Sequence, residues 1–314
     1  MTMNWRKIGL FLLLAFGISW LSAAGIYFGG IEYGKGLSIL IVACLYMPAP
    51  AISALIVQKY IYKEPFEPLG WTWKGIDWKW IFGTILISIF FVLGTMAVIG
   101  LAGNTLGIAS FGSLDLSEDA IIQKIVEVVS SSNQDLPVDL ETELEKLPFT
   151  LSAVPLLSVI FLAGIFAAFS VNLPFMFGEE FGWRGLFLKE TQQLGFVKSN
   201  LLIGIVWGLW HAPIILMGHN YPEYPVIGVG MMCLFTTALA FPFAYIRLKT
   251  KSILGPCVMH GMINGTAASL LYFTWGGHSL VTGMTGIAGL VAISSVAFAV
   301  FLFDRKFVKD YPAL

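Results

Sequence analysis

Leu173 to Lys189 reads LPFMFGEEFGWRGLFLK, and its character decides how the rest of the chain is read. Two carboxylates, Glu179 and Glu180, and one guanidinium, Arg184, stand in an otherwise apolar run. An ion in such surroundings is costly unless it is paired. Ionisable residues inside a membrane segment are therefore functional candidates by default. Whether this is a membrane segment is answered by the sequence on either side of it.

The chain of 314 residues is 57% hydrophobic and 12% charged, where a soluble domain carries roughly a quarter charged residues. Mean hydropathy is +0.81. Apolar runs of about 20 residues, enough to cross a bilayer as a helix, recur from end to end. The composition predicts an all-α polytopic membrane protein with about eight transmembrane helices. Their approximate bounds are Ile8–Phe28, Leu37–Val57, Ile81–Leu101, Leu151–Phe177 continuing as helix towards Gln193, Asn200–Met217, Pro225–Ile246, Ile253–Phe273 and Ser279–Phe303. The run from Ile8 is long enough to span. An uncleaved first helix is therefore expected, although Ser22-Ala23-Ala24 resembles a signal-peptidase site.

Lysine and arginine set the orientation. With the N-terminus in the cytoplasm, the basic residues from Arg6 and Lys7 through Lys59, Lys189 and Lys251 to Arg305 fall on cytoplasmic segments. Only Lys35, Lys124 and Lys146 fall outside. Both termini are then cytoplasmic. A net charge of −1 implies no nucleic-acid partner. Cys44, Cys233 and Cys257 share no metal-ligand spacing and read as small apolar residues.

Three sections follow. Residues 1–150 hold three transmembrane helices and an acidic extracytoplasmic loop from about 103 to 150. Residues 151–273 hold the polar motifs. Residues 274–314 hold the last span and a cytoplasmic tail. The loop carries acids from Asp115 through Asp135 and Asp139 to Glu145. Its Ile121, Ile122, Ile125, Val126 and Val129 recur at helical spacing, so one or two amphipathic surface helices are expected there.

Glu180 and Arg184 are four apart and face each other on a helix. They read first as a structural ion pair. Glu179 points about 100° away and has no partner within its own helix, which suits it to general-base work. Gly178, Gly182 and Gly185 would let another helix approach closely. Two further polar elements follow, Trp207-Gly-Leu-Trp-His211 and His260-Gly-Met-Ile-Asn264. By helical rise, Glu179 lies roughly 15 Å from Lys189, His211 roughly 20 Å from Lys198 and His260 roughly 14 Å from Lys251. Three helices thus bring polar groups to a shared depth, predicted to lie in the cytoplasmic half of the bundle. His219 and His278 fall in predicted outer loops and are set aside.

The three elements resemble the signature of the CPBP intramembrane protease family, which includes the type II CAAX-prenyl endopeptidases of the Rce1 type. EExxxR corresponds to Glu179–Arg184, the aromatic-xxx-His element to Trp207–His211, and HxxxN to His260–Asn264. Trp207 departs from the family's usual Phe, which bears on packing near His211. The resemblance covers about Leu151 to Phe273, so that 151–273 would be a CPBP-like catalytic core. It implies a membrane peptidase in which Glu179, helped by His211, activates water. His260 and Asn264 would then donate to the oxyanion, with Glu180 and Arg184 as structural support. The implied substrate is a peptide or a lipidated, CAAX-like protein C-terminus, met at the bilayer near the cytoplasmic face.

That account needs no cofactor. The rival is a zinc site, with Glu179, His211 and His260 as ligands; the HExxH pairing of many zinc peptidases is absent. Two non-proteolytic readings stay open, a proton-coupled carrier and a non-catalytic scaffold or immunity protein.

Overall fold

The computed structural model describes residues 3–131, 140–146 and 150–313. Asp135 and Asp139 of the acidic loop lie outside the described residues, as do the side chains of Glu141, Glu143 and Glu145. The fold is almost entirely helical. Among the described residues its one sheet pairs the two-residue strands β1 (Ser113–Leu114) and β2 (Thr274–Trp275).

Helix α1 (Trp5–Phe28) starts where the Asn4 side chain accepts from the Lys7 amide. Helices α2 (Leu37–Ile61) and α3 (Trp78–Thr105) follow. The amphipathic α4 (Glu118–Ser131) and the short α5 (Leu140–Glu145) come next, where one or two helices are expected in the acidic loop. The chain continues through α6 (Ala153–Phe169), α7 (Leu173–Leu194), α8 (Phe196–Trp210), α9 (Ala212–Leu216), α10 (Pro225–Thr250) and α11 (Leu254–Thr266). It closes with α12 (Ile287–Phe303) and α13 (Arg305–Asp310). Among the described residues, α1, α2, α3 and α10 are each long and apolar enough to cross a membrane. The bent pair α6–α7 passes the same test only when its two helices are taken together, as a broken span or a re-entrant loop.

That bend corrects one expectation. Leu151 to Gln193 is not a single helix: it breaks at Ser170–Asn172 and turns by 63°. Pro174 has no amide to bond back to Ser170, and its ring crowds the preceding turn. Ser170 leaves the helical region (φ −127°, ψ −97°), and Pro174 sits in the first turn of α7. The same chemistry divides Asn200–Met217, where α8 ends at Trp210 and Pro213 opens α9. The last span is shorter than predicted. Gly276, Gly277 and Gly283 adopt positive φ before Ile287, which keeps 276–286 in turns.

Leu13, Leu21, Phe82, Phe90, Phe166, Val226 and Phe298 point outward and exposed. Such a belt suits hydrocarbon as the surrounding solvent. The two ends of the bundle differ. One, the loop end, joins Tyr33 to His219 (3.0 Å) and Tyr221 to the Thr285 carbonyl (2.8 Å). The other, the basic end, joins Lys7 to Glu64 and Glu190, and Lys249 to Asp304 (2.6 Å).

Close approach between α2 and α7 depends on two glycines. A Cβ on Gly178 would meet Pro48 Cα at 2.9 Å, and one on Gly182 would meet Pro50 Cβ at 2.5 Å. The proposed role of these glycines in helix approach is thus met by α2, the second helix of the chain.

Candidate active site

Helix α7 carries Glu179, Glu180 and Arg184. Over Phe181–Phe187 its backbone bonding widens to the i→i+5 pattern, a feature often found at functional sites. Glu179, Glu180 and Arg184 are all buried. The expected pair forms: Arg184 Nη1 lies 3.2 Å from Glu180 Oε2. The Arg184 guanidinium is also sandwiched by rings, 4.0 Å from the Trp207 centroid and 4.4 Å from that of Phe243. Glu180 has a further partner from α11, because His260 Nδ1 lies 2.8 Å from Glu180 Oε1. The family resemblance implies a role for His260 at the reacting atoms; its Nδ1 side is engaged by Glu180.

Glu179 faces elsewhere, as its position on the helix requires. Its Oε2 accepts from Trp207 Nε1 at 3.1 Å, and it lines a cavity of about 170 Å³. Trp207 is the hub of the site. Its indole N–H bonds Glu179 and its ring faces Arg184. Its edge meets His260 at 5.5 Å between centroids, and its carbonyl accepts from His211 Nδ1 at 2.8 Å. A carbonyl can only accept, so His211 carries its proton on Nδ1 in the neutral ring and leaves the Nε2 lone pair free. The residue that departs from the family pattern is therefore also the one that ties the motifs together. A phenylalanine there could not donate to Glu179.

Asn264 reaches Met176 Sδ at 3.5 Å, a weak bond, and lies exposed at the rim. Glu179, His211, His260 and Asn264 thus line one cavity although they come from three separate parts of the chain. Glu180 and Arg184 stand behind it. Among the described residues no three His, Cys, Asp or Glu side chains are grouped so that they could hold a metal ion together.

Several lining residues carried no sequence signal. Val42, Tyr46 and Met47 of α2 form one wall. The Tyr46 hydroxyl donates to the Trp210 carbonyl, Trp210 Nε1 donates to Ser19 Oγ (2.8 Å), and Ser19 Oγ donates to the Tyr46 carbonyl (3.1 Å). This triangle holds α1, α2 and α8 together beneath His211. His219, set aside on sequence, also lines the cavity and bonds Tyr33. Burial lowers its pKa to about 4, so it is neutral at pH 7. His278 stacks on Tyr224 instead. With His219, Asn220 and Thr285 in its wall, the cavity runs from Glu179 towards the loop end.

Comparison with known proteins adds to this geometry. Residues 150–266 match the family described as type II CAAX prenyl endopeptidase Rce1-like. The chain is also similar to CAAX prenyl protease 2 of Methanococcus maripaludis, with 28% identity over 165 residues. That alignment takes in 50% of this chain and 53% of the relative, so the match spans about half the length of each. Glu179, Glu180, Arg184, His211, His260 and Asn264 all fall inside the matched segment, so residues 150–266, which hold the whole candidate site, are similar to the Rce1-type family.

Proposed function

We propose that the chain is an intramembrane endopeptidase of the Rce1-like kind, acting on a peptide bond near a lipidated protein C-terminus. One observation carries this reading: Glu179, His211, His260 and Asn264 border a single small cavity within the bundle. Its rim includes the exposed Asn264 and Ala267, which suits lateral entry of a lipid-linked peptide from the bilayer.

In this reading Glu179 takes a proton from water through Oε1, which makes no hydrogen bond among the described residues. Trp207 holds Oε2. His211 accepts a second hydrogen from the same water at its free Nε2. The hydroxide attacks the carbonyl carbon, and the developing oxyanion takes hydrogen bonds from His260 Nε2 and Asn264 Nδ2, where preorganised donors help most. For His260 to donate there while Nδ1 holds Glu180, its ring carries two protons, and the Glu180 carboxylate is the countercharge. Collapse of the tetrahedral intermediate breaks the C–N bond, and the proton held by Glu179 passes to the leaving amine. No step is routed through a metal.

The test is cleavage of a farnesylated CAAX-type peptide and its unmodified counterpart by the purified protein in detergent. Glu179→Gln should lower kcat by about 10²–10⁴-fold, the range of a lost general base, with little change in thermal stability. Chelator should leave wild-type activity intact. Loss of activity with chelator and its return with zinc would replace this mechanism by a metal-assisted one. Failure of wild type to cut either peptide would move the assignment to a carrier or scaffold.

A further inference from the structure

At the basic end, the C-terminal turn of α10 meets the last turns of α7 around a cavity of about 350 Å³, separate from the one described above. Its charged lining is Lys189, Arg247 and Lys251, against a single carboxylate, Glu67. Glu67 forms no ion pair with any of the three.

Lysines at a helix C-terminus on the basic side of a membrane protein have an ordinary explanation. The helix dipole and the cytoplasmic excess of positive charge both favour them. That explanation covers the exposed Lys189 and Lys251. It does not cover Arg247, which is only 6% exposed. The Arg247 side chain makes no hydrogen bond or ion pair, and its Nε is sealed from solvent without a partner. Taking a guanidinium out of water without a counterion is costly.

The surrounding backbone accommodates this arrangement. Gly70, at φ +84°, leaves room for the guanidinium; a Cβ there would come within 2.1 Å of Arg247 Nη2. Lys251 adopts a left-handed conformation (φ 58°) at the end of α10, a position that favours glycine. Gln192, buried on the α7 side, is held in place by its bond to the Tyr311 carbonyl (2.6 Å).

We infer that this cavity is a binding site for a phosphate group, with Arg247 as the buried anchor and Lys189 and Lys251 as the outer clamps. A guanidinium presents paired N–H donors that match phosphate oxygens, and ammonium groups add charge without fixed geometry. Basic pockets between helices at this level of a membrane protein are where anionic headgroups are held. The phosphate comes either from an anionic lipid headgroup or from solution. The inference does not depend on the peptidase reading.

The experiment uses the full chain in a zwitterionic detergent, with thermal unfolding followed at increasing ligand. The probes are dihexanoyl phosphatidic acid, inorganic phosphate and, as control, dihexanoyl phosphatidylcholine. Phosphatidic acid should raise the unfolding midpoint saturably and phosphatidylcholine should not. Removing one charged donor should weaken the apparent affinity about 10-fold in Arg247→Gln. The double variant Lys189→Gln/Lys251→Gln changes only exposed side chains. It should show a weakening as well, so the inference stays testable if Arg247→Gln fails to fold. Competition by inorganic phosphate, or stabilisation by it alone, assigns the site to phosphate from solution; stabilisation by phosphatidic acid without competition assigns it to a lipid. No stabilisation of wild type by either anion, an equal response to phosphatidylcholine, or an unchanged affinity in the double variant would overturn the inference.

Discussion

Two buried ion clusters solve the same problem in different ways. Around Glu180, four helices supply Arg184, His260 and the aromatic rings of Trp207 and Phe243, and neither Glu180 nor Arg184 reaches solvent (0% and 1% exposed side chains). Around Lys7, the ammonium is as deeply placed (3% exposed), but its partners Glu64 and Glu190 are 48% and 14% exposed. The first cluster is closed and must balance its charges internally. The second is vented at the basic end, where water shares the task. A buried charge seen in the sequence therefore says little until its outlet is known.

Substitutions can break or sharpen this contrast. Arg184→Met strands Glu180 in a sealed setting and should destabilise the detergent-solubilised protein by about 3–5 kcal/mol. A loss below about 1 kcal/mol, within the range of exposed pairs, would show that the cluster is not closed. Lys7→Met leaves Glu190 without its cation but with a route to water, so about 2 kcal/mol is expected, short of the full penalty for a sealed charge. An equal loss for Lys7→Met and Arg184→Met in the same unfolding series would remove the distinction. Trp207→Phe keeps a ring over Arg184 and deletes the N–H bond to Glu179. It should lower kcat/KM by about 10-fold, one hydrogen bond to a charged group, with stability changed much less than by Arg184→Met. The smallest effect is expected from Glu64→Gln, at or below about 1 kcal/mol and shrinking with added salt, as for other half-exposed pairs.

The parts of the site that were legible in the sequence are those set by helical spacing. Glu180 and Arg184 meet because they are four apart, and Glu179 faces another way because it is one residue off. Gly178 and Gly182 mark a close helix approach because small residues in apolar helices have few other uses. The parts that were not legible depend on tertiary placement. Helices α1 and α2 are apolar on every side, so no periodicity marks the face that carries Ser19 and Tyr46 into the site. The size of the bend at Ser170 is equally hidden. Pro174 says where a helix weakens, not which way the chain turns. His219 was discounted because a loop position was read as a remote one, yet the loop folds back over the cavity.

That bend has a mechanical consequence. Asn172, at the elbow, donates from Nδ2 to the carbonyl of Gly261 at 3.0 Å, and Gly261 directly follows His260. The elbow is therefore pinned to the helix that bears His260, and α7 leaves from that pin towards Glu179. When bilayer thickness changes, a spanning helix answers by tilting. Here α6 also packs directly along the helix that bears His260, with no room for a Cβ at Gly164 or Gly261, so a tilt of α6 would carry the elbow and His260 together and leave the spacing between Glu179 and His260 unchanged. The same site geometry would then survive transfer between membranes of different thickness.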